Sequence, residues 1–504
     1  MAAEINFPVR RLGINRRRAL LLLATTATVG LLDACGASSS APPAGSAASS
    51  AASATLTSAT GAATTAVVSS SAAASSTAAA AVGPTPTIPA ALAPVTLGGT
   101  GGPHLQIWWP NGSKNVSIDN IFTDFHKTHD TWSAEISYTN GYDKFLTAVA
   151  ANTPPDVFMP TPDRMLQYAA KGGILATLDS YIAADKVDLS QYYKAAVISI
   201  KYQNKVYGMP DHLDVASIYQ NDRVLQTVGV DPAKGPASWD DLAAMNQKVT
   251  KKSGDNLERV GFVPTWGWPT DTVGWLQANG VQLLSDDGTK VTFDSAAGTE
   301  ALNWVATQLK ELGGPDTISA YQKPFKAGSG DALAHDALAA ELMGVWDIGY
   351  TILKIAPDLP LSQWPIPGGP SAAGKTFGFF IAELVSITAP SKQHDAAWQY
   401  VKFHSGPEGQ KYIQTFQGAW DIACLPTVAN DPAAIKAQPW RKRANELMEQ
   451  AQTPSYILSA AGDDMASAMN KAAAPLWQGK QDVNTTMAQM KQQAQVILDK
   501  YHAT

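Results

Sequence analysis

The chain has 504 residues and a formal net charge of −6 at pH 7. The charge is uneven, because residues 1–103 carry five arginines against Glu4 and Asp33, which leaves residues 104–504 clearly acidic. An acidic body argues against nucleic-acid binding, which relies on basic patches, and two cysteines are too few for a disulfide framework. A body of about 400 residues is long enough for two domains or lobes.

The chain begins with a pattern typical of an export signal. Five arginines precede an apolar run at 19–32, which is shorter than the roughly 20 residues that a membrane-spanning helix needs. The stretch "RRRALL" at 16–21 resembles a twin-arginine export signal, and a general secretory signal is the alternative. The following "LLDAC" resembles a bacterial lipobox, although Asp33 departs from its usual small apolar residue. It predicts a signal peptide over 1–34 and a lipid on Cys35.

Residues 35–103 are predicted to be a disordered tether. Between 36 and 103 the chain is almost wholly Ala, Ser, Thr, Gly and Pro, without a charged or aromatic residue. Such a segment cannot bury enough apolar surface to offset its ordering entropy. A lipid on Cys35 would hold the rest of the chain near a membrane while letting it move. Cys424 would then have no partner within the chain.

The remainder, 104–504, predicts an α/β fold. Strands are expected at 104–109, 134–140 and 155–161, and they alternate with helices at 116–129, 142–153 and 165–174, which indicates a parallel sheet. A hairpin at 201–210, a strand at 215–221 and a helix capped by Ser238 follow. The section 222–345 is predicted to be rich in helix. A strand at 374–390 and helices at 392–406, 463–477 and 485–501 complete the pattern.

Several segments resemble one family, the extracellular solute-binding proteins of ABC importers that include maltose-binding protein. The similar segments occur in the family's order and together span most of 104–504. They are "YDKFLTAVAANTPPDVFMPTPDRMLQYAAKGGILATLDSYI" (142–182), "NKVYGMPDHLDVASIYQNDRVLQTVGVDPAKGPASWDDL" (204–242), "ALAAELMGVWDIG" (337–349) and "SKQHDAAWQYVKFHSGPEGQKYI" (391–413).

The resemblance implies a two-lobed periplasmic-binding-protein fold of type II, with a hinge and a ligand cleft between the lobes. Lobe 1 is expected at 104–215 plus 375–425, and lobe 2 at 216–374 plus 426–504. The lobes are expected to close around the ligand, and the permease then recognises this closed form. The implied protein is a monomeric, non-enzymatic, lipid-anchored receptor on the extracytoplasmic face of a bacterial membrane. Its partners would be a mono- or oligosaccharide and the transmembrane subunits of an ABC permease.

Aromatic side chains in loops are the first candidates for sugar contact, because pyranose rings stack on them. Trp109 ends the first strand, and alternation leaves either it or Trp108 facing a cleft; we favour Trp109. Trp266 and Trp268 lie in "TWGWP", where maltose-binding protein has a ligand-stacking Trp-Pro. The remaining candidates are Trp346, Tyr350 and Trp420. For each of them, packing in the core is the alternative.

Polar candidates supply hydrogen bonds to hydroxyl groups. Asp163 and Arg164 match the Asp-Arg of maltose-binding protein that contacts its sugar; the alternative is that they only start a helix. Asp211 follows "YGMP", which lies at a cleft edge in the family, while His212 is interpreted as a polar turn residue. Glu383 interrupts an apolar strand, as either a paired buried carboxylate or an acceptor for a hydroxyl group.

Other chemistries have weaker support. The eight histidines show no HExxH motif and no closely spaced pair, so neither a metal nor a cofactor is predicted. A polyamine, a peptide or an organic anion could replace the sugar in the same fold, and polyamines would require several carboxylates among the aromatics. A secreted glycan hydrolase would need a pair of carboxylates, and no motif singles one out.

Overall fold

The computed structural model describes residues 94–99, 101–110, 115–138, 141–268, 272–325, 329–415 and 421–502. The predicted signal peptide, Cys35 and most of the predicted tether lie outside these ranges. One part of the tether prediction is wrong, because Val95–Gly98 forms a strand paired antiparallel with residues 133–136. Val95 and Leu97 alternate toward the core and pack against it, which gives this short stretch the apolar contacts that the rest of the tether lacks.

The strands are short except for two long ones that cross the centre of the molecule. They are β1 Val95–Gly98, β2 His104–Trp109, β3 Ser133–Tyr138, β4 Val157–Phe158, β5 Lys201–Tyr202, β6 Lys205–Val206, β7 Met209–Asn221, β8 Lys251–Ser253, β9 Asn256–Arg259, β10 Ala340–Gly344, β11 Leu361–Trp364, β12 Ile366–Pro367, β13 Thr376–Phe377, β14 Phe379–Ile387, β15 Ile422–Ala423 and β16 Thr453–Pro454.

The helices surround these strands. They are α1 Val116–His126, α2 Tyr142–Ala150, α3 Pro162–Lys171, α4 Asp179–Ala184, α5 Lys194–Ser199, α6 Asp222–Thr227, α7 Trp239–Val249, α8 Thr272–Ala278, α9 Ala296–Glu311, α10 Gly314–Gln322, α11 Ser329–Ala334, α12 Leu353–Ile355, α13 His394–Ser405, α14 Pro407–Thr415, α15 Pro426–Ala429, α16 Pro432–Ala437, α17 Trp440–Gln450, α18 Gly462–Trp477 and α19 Val483–His502. Within the described ranges, no helix is both long and apolar enough to cross a membrane.

Local sequence explains most of these boundaries. Ser238 caps α7, as predicted, by accepting a hydrogen bond from the Asp241 amide at 3.1 Å. The predicted strand at 374–390 is instead two strands, β13 and β14, separated at Gly378. A side chain there would press against the backbone of Ala451 on the neighbouring α17–β16 connection. The predicted helix from 165 begins earlier, at Pro162, because proline fits the first turn of a helix.

One mixed sheet organises the fold. Its strands run in the order β1-β3-β2-β4-β14-β7-β10, with β11 and β15 also paired to β7 and β16 paired to β14. Strands β2, β3 and β4 are parallel, as predicted, whereas β14 is antiparallel to both β4 and β7. The parallel part is covered by helices such as α1, whose apolar face is buried.

Strand β7 is the spine of the molecule, and all thirteen of its residues are buried. Its first half pairs with β14 on one edge and with β15 on the other. Beyond Ala216 its partners change to β10 and β11. The change occurs at the expected lobe boundary, and the lobe ranges themselves stay a prediction.

Candidate ligand-binding site

A β-bulge in the first half of β7 positions a group of buried ionisable side chains. Glu383 on β14 pairs with His212, but the next residue, Leu384, pairs with Pro210, so Asp211 is the extra residue. A bulge interrupts the alternation of side chains and re-aims them. Here it lets two consecutive polar residues, Asp211 and His212, both lie inside the fold with almost no exposed surface.

Asp211 is held between two histidines. Nδ1 of His212 donates to one carboxylate oxygen at 2.8 Å, and Nε2 of His404 on α13 donates to the other at 2.5 Å. The Gln410 side chain on α14 donates to the backbone carbonyl of Asp211 at 2.5 Å. Burial alone would raise the pKa of Asp211, but the two imidazoles outweigh it and hold this pKa well below its usual value.

The expected cleft-edge position of Asp211 is therefore wrong. Its side chain has no exposed surface and both carboxylate oxygens are occupied. The bulge turns it toward α13 and α14. The Asp211 carboxylate fixes the ring of His212 through Nδ1. The other ring nitrogen, Nε2, is therefore directed away from Asp211.

His212, Asp214 and Asp421 come together on that side; we call them the His212 cluster. Nε2 of His212 lies 3.7 Å from Asp214 Oδ2 and 3.9 Å from Asp421 Oδ2. Strand β15 delivers Asp421: Ile422 pairs with Leu213, which brings Asp421 level with Asp214 on the neighbouring strand. The donated hydrogen bond from Arg441 Nη1 to the Asp421 carbonyl, 2.8 Å long, secures this position.

The cluster is buried and electrically unbalanced. Burial opposes the charge on His212, but the Asp421 and Asp211 carboxylates prevail and raise the pKa of His212 well above its usual value. Burial and repulsion by Asp421 raise the pKa of Asp214 well above normal. Asp214 Oδ1 is buried and has no hydrogen-bond partner among the described residues. Most buried oxygens of this kind have a partner in proteins, so this one is available to accept a hydrogen bond from a bound group.

Glu383 interacts with the cluster and, through Tyr142, with a second predicted polar candidate, Asp163. It pairs in register with His212 and raises the pKa of Asp214. Burial, and then Glu383 and Asp163, raise the pKa of the Tyr142 hydroxyl well above normal. Glu383, in the middle of β14, is thus close enough to interact electrostatically with Tyr142, which begins α2.

Arg164 also lies at Tyr142, with its guanidinium carbon 5.0 Å from the centre of the phenol ring. It forms an ion pair with Asp463 of α18 at 3.0 Å. Its guanidinium is therefore already paired, while about three tenths of the side chain is exposed. The predicted alternative, a helix start, also describes this segment, since Thr161 is the N-cap of α3 and Asp163 lies in its first turn.

Two predicted tryptophans form a pair at the end of β10. The rings of Trp268 and Trp346 lie 5.0 Å apart at 56°, and both are half-buried. The Trp346 ring lies where a side chain on Gly344 would project, within 2.0 Å of that ideal position. Gly344 pairs with Ala216, so this ring lies on the β7 face that also carries Asp214.

Trp109 lies on the other flank of the cluster. Its ring centre is 6.2 Å from that of His212. The side chain is 5% exposed, and its indole Nε1 is buried without a hydrogen-bond partner in the described part of the chain. An unpaired indole donor and the unpaired Asp214 oxygen together match the donor and acceptor of a hydroxyl group.

The remaining candidates are not brought to this face, or they cannot be placed. Trp266 is 2% exposed and lies nearly parallel to Tyr321, with ring centres 6.1 Å apart, in the core. The backbone of Tyr350 lies in a π-helical turn, Ile348–Ile352, and its side chain is outside the description. Trp420 and Cys35 lie outside the described residues.

Sequence reasoning missed most of the charged centre. His212 was interpreted as a turn residue, and Asp214, Asp421, His404 and Tyr142 were not selected. The available signal was the string "DHLD", in which three ionisable residues interrupt an otherwise apolar strand. The partnership with Asp421 could not be read from the sequence, because more than 200 residues separate it from Asp214.

The fold and this site together define a two-lobed α/β binding protein, as predicted. Among solved structures, CpMnBP1 with mannotriose bound superposes with a TM-score of 0.66 and 22% identity, covering 78% of this chain and 100% of that one. The chain belongs to the family of bacterial extracellular solute-binding proteins, whose profile matches residues 111–411.

Curated relatives are distant. A putative binding protein of Brucella abortus (strain 2308) is 22% identical over 268 residues, 52% of this chain and 60% of that protein. The match thus spans less than two thirds of that relative's length. The arabinooligosaccharide-binding protein of Bacillus subtilis (strain 168) is 22% identical over 359 residues, 67% of this chain and 78% of that protein.

Proposed function

We propose that this protein is the carbohydrate-binding component of an ABC importer, which captures a mono- or oligosaccharide between its lobes and delivers it to the permease. The observation that carries the proposal is the β7 face. There Asp214 and Trp109 lie close to His212, each with a carboxylate oxygen or indole N–H that has no partner among the described residues, and the Trp268–Trp346 pair borders the same face.

This arrangement matches the chemistry of a sugar. Half-buried indoles offer apolar faces to the C–H face of a pyranose ring. Hydroxyl groups both donate and accept, and would satisfy the two unpaired atoms at once. The names of the relatives support the same class, since they record an arabinooligosaccharide and mannotriose. The predicted contacts of Trp109, Asp163, Arg164, Trp268, Trp346 and Glu383 belong to this proposal, and Asp214 and Asp421 are added to it.

The proposed location is the extracytoplasmic face of the membrane. Support comes from the family, described as extracellular, and from the signal-like residues 1–34. A lipid on Cys35 and the tether that follows would keep the receptor near its permease. Metabolic labelling with a radioactive fatty acid tests the anchor: wild type should incorporate label and Cys35→Ser should not.

A polyamine is the second candidate ligand, and the carboxylates favour it. Asp214, Asp421 and Glu383 surround a single histidine on the β7 face, an excess of acid that a ligand ammonium group would neutralise. The tryptophan pair is compatible with either class, because cations also bind to indole faces.

A thermal-shift panel separates the candidates. The full chain carrying Cys35→Ser would be heated with mono-, di- and oligosaccharides, with polyamines and with short peptides. The full chain is preferable to a fragment starting at 104, which would lack β1. A ligand at 100 times its dissociation constant should add about 2.7 kcal/mol to the free energy of unfolding.

The variants decide where binding occurs. Stabilisation by one sugar class that disappears in Asp214→Asn and in Trp268→Ala would support the proposal. Stabilisation by polyamines alone would replace the ligand class while keeping the site. Binding of a sugar that survives both substitutions would reject the β7 face as the site.

A further inference from the structure

We propose that the His212 cluster is a divalent-metal site, with Nε2 of His212 and one carboxylate oxygen each from Asp214 and Asp421 as the protein ligands. This inference does not depend on the sugar proposal. It rests on how the three side chains converge and on how His212 is oriented.

The two distances from His212 fit an ion that this residue shares with either carboxylate. The candidate ligand atoms of the three residues all lie within 4.8 Å of one another, and the two nitrogen–oxygen separations are 3.7 and 3.9 Å. Bonds of about 2.0 to 2.2 Å allow two ligand atoms to lie up to about 4.4 Å apart across an ion. Both separations are therefore compatible with His212 binding the same ion as each carboxylate.

The hydrogen bonds that orient His212 are of the kind found around metal-binding histidines. Such histidines donate their second ring N–H to a carboxylate, which fixes the tautomer and leaves the other nitrogen for the metal. Nδ1 of His212 donates to Asp211 at 2.8 Å, and His404 donates to the second oxygen of Asp211 at 2.5 Å. This chain of contacts leaves Nε2 facing the two carboxylates.

A separate observation indicates a bound group. Asp214 is 6% exposed and its Oδ1 has no hydrogen-bond partner among the described residues. The cluster also holds two carboxylates within a few ångströms of each other, with Glu383 beside His212 on β14. A divalent cation would offset this repulsion, which the imidazole alone does not balance.

The ligand set selects the metal class. One imidazole and two carboxylates suit Zn²⁺, Co²⁺ or Mn²⁺ better than a soft ion, for which thiolates would be expected. Three protein ligands leave at least one coordination position open. Two of the ligands lie on β7 and the third, Asp421, directly precedes β15, the adjacent strand of the main sheet, and regular strands hold ligands more firmly than loops do.

Direct metal binding tests the proposal without any sugar. The full chain carrying Cys35→Ser, produced without a histidine tag and stripped with a chelator, would be titrated with Zn²⁺ and with Co²⁺. We expect one ion per chain by elemental analysis and a visible absorption band from bound Co²⁺. Saturable binding weaker than about 1 mM for both ions would overturn the proposal.

Matched variants locate the ion. Asp421→Asn and Asp214→Asn should each weaken binding at least tenfold, and Asp211→Asn should weaken it by about 10- to 100-fold as a supporting residue. Asp347→Asn, another largely buried carboxyl group whose partner is Thr351, should leave the affinity unchanged. Of these substitutions, Asp421→Asn should disturb the fold least, because 13% of the Asp421 side chain is exposed. Binding that is equal in wild type and Asp421→Asn would show adventitious surface binding and reject the site.

Discussion

The two halves of β7 contain equally buried polar residues, but the hydrogen bonding of these residues differs. In the second half, the Asn221 side chain donates to the Leu333 carbonyl at 2.9 Å and accepts from the Val224 amide, and Gln363 donates to both Ser217 and Tyr219. In the first half, ionisable groups predominate, and the Asp214 Oδ1 atom has no hydrogen-bond partner in the part of the chain that the structure describes.

On the proposed function, the difference separates polar groups that stabilise the fold from polar groups that would contact a ligand. A neutral, fully bonded network stabilises the native state, because each buried donor and acceptor has its match. A surplus of buried carboxylates costs free energy unless something neutralises or bonds it. Under the proposed function, the first half of β7 is the part of the strand whose charged groups are satisfied by a ligand.

The largest expected effect is on stability, from Asn221→Ala in the second half. The change removes the N-cap of α6 and leaves the Leu333 carbonyl without this donor. We expect a loss of about 3 kcal/mol in the free energy of unfolding, measured by urea denaturation. The corresponding change in the first half, Asp214→Asn, should alter stability by less than about 1 kcal/mol, because a neutral amide of similar size replaces a carboxyl group whose charged form is already disfavoured. Equal losses in both variants would contradict the distinction.

The next effect concerns affinity at the aromatic border of the first half. Trp268→Ala should weaken binding of the sugar by about 30-fold, as expected for a central aromatic contact. Trp477→Ala, which removes another half-buried indole from α18, is the control and should leave affinity unchanged. Isothermal titration calorimetry measures both. A loss of affinity in the control but not in Trp268→Ala would move the site elsewhere.

A smaller effect is a pH dependence at the end of the second half. Burial raises the pKa of Asp222 to about 6, although hydrogen bonds from Ser362 oppose this. In the unfolded chain the group ionises near its ordinary value, so its contribution to stability is complete below about pH 4 and is lost as the pH rises through about 6. Asp222→Asn should flatten the unfolding free energy over that window. An unchanged profile in urea titrations at pH 4 to 7 would show that another group is responsible.

The smallest effect concerns the reactivity of the Cys424 thiol, which lies beside the first half of β7. Cys424 is fully buried next to β15, and burial, then Asp211 and Asp214, raise the pKa of its thiol well above normal. In the Cys35→Ser chain it is the single thiol, and it should not react with a thiol reagent until the protein unfolds. Rapid labelling of the native chain would mean that the first half opens readily.

Periodicity and capping residues predicted much of the fold correctly. The strand at 104–109, the hairpin at 201–210 and the Ser238 cap each depend on a few adjacent residues, and local patterns carry that information. The sequence did not show that the strand at 374–390 divides at Gly378, where the backbone lies close to Ala451, far along the chain.

The candidate site was predictable only in part. The sequence selects Trp268 from its loop and Trp346 from the segment that resembles the family's second crossing, and the structure brings the two rings together. The sequence selects Asp211 instead of Asp214. A bulge that the sequence does not show directs Asp211 inward and leaves Asp214 facing Asp421. A one-residue change of register decides which carboxylate reaches the β7 face.

A ligand titration of three chains tests the central claim most directly. Wild type, Asp214→Asn and Ser217→Ala, all carrying Cys35→Ser, would be titrated with the sugar that gives the largest thermal shift. We predict that Asp214→Asn loses at least about tenfold in affinity while Ser217→Ala, in the second half, stays within about twofold of wild type. Undiminished affinity in Asp214→Asn would contradict the assignment of the first half of β7 as the binding site.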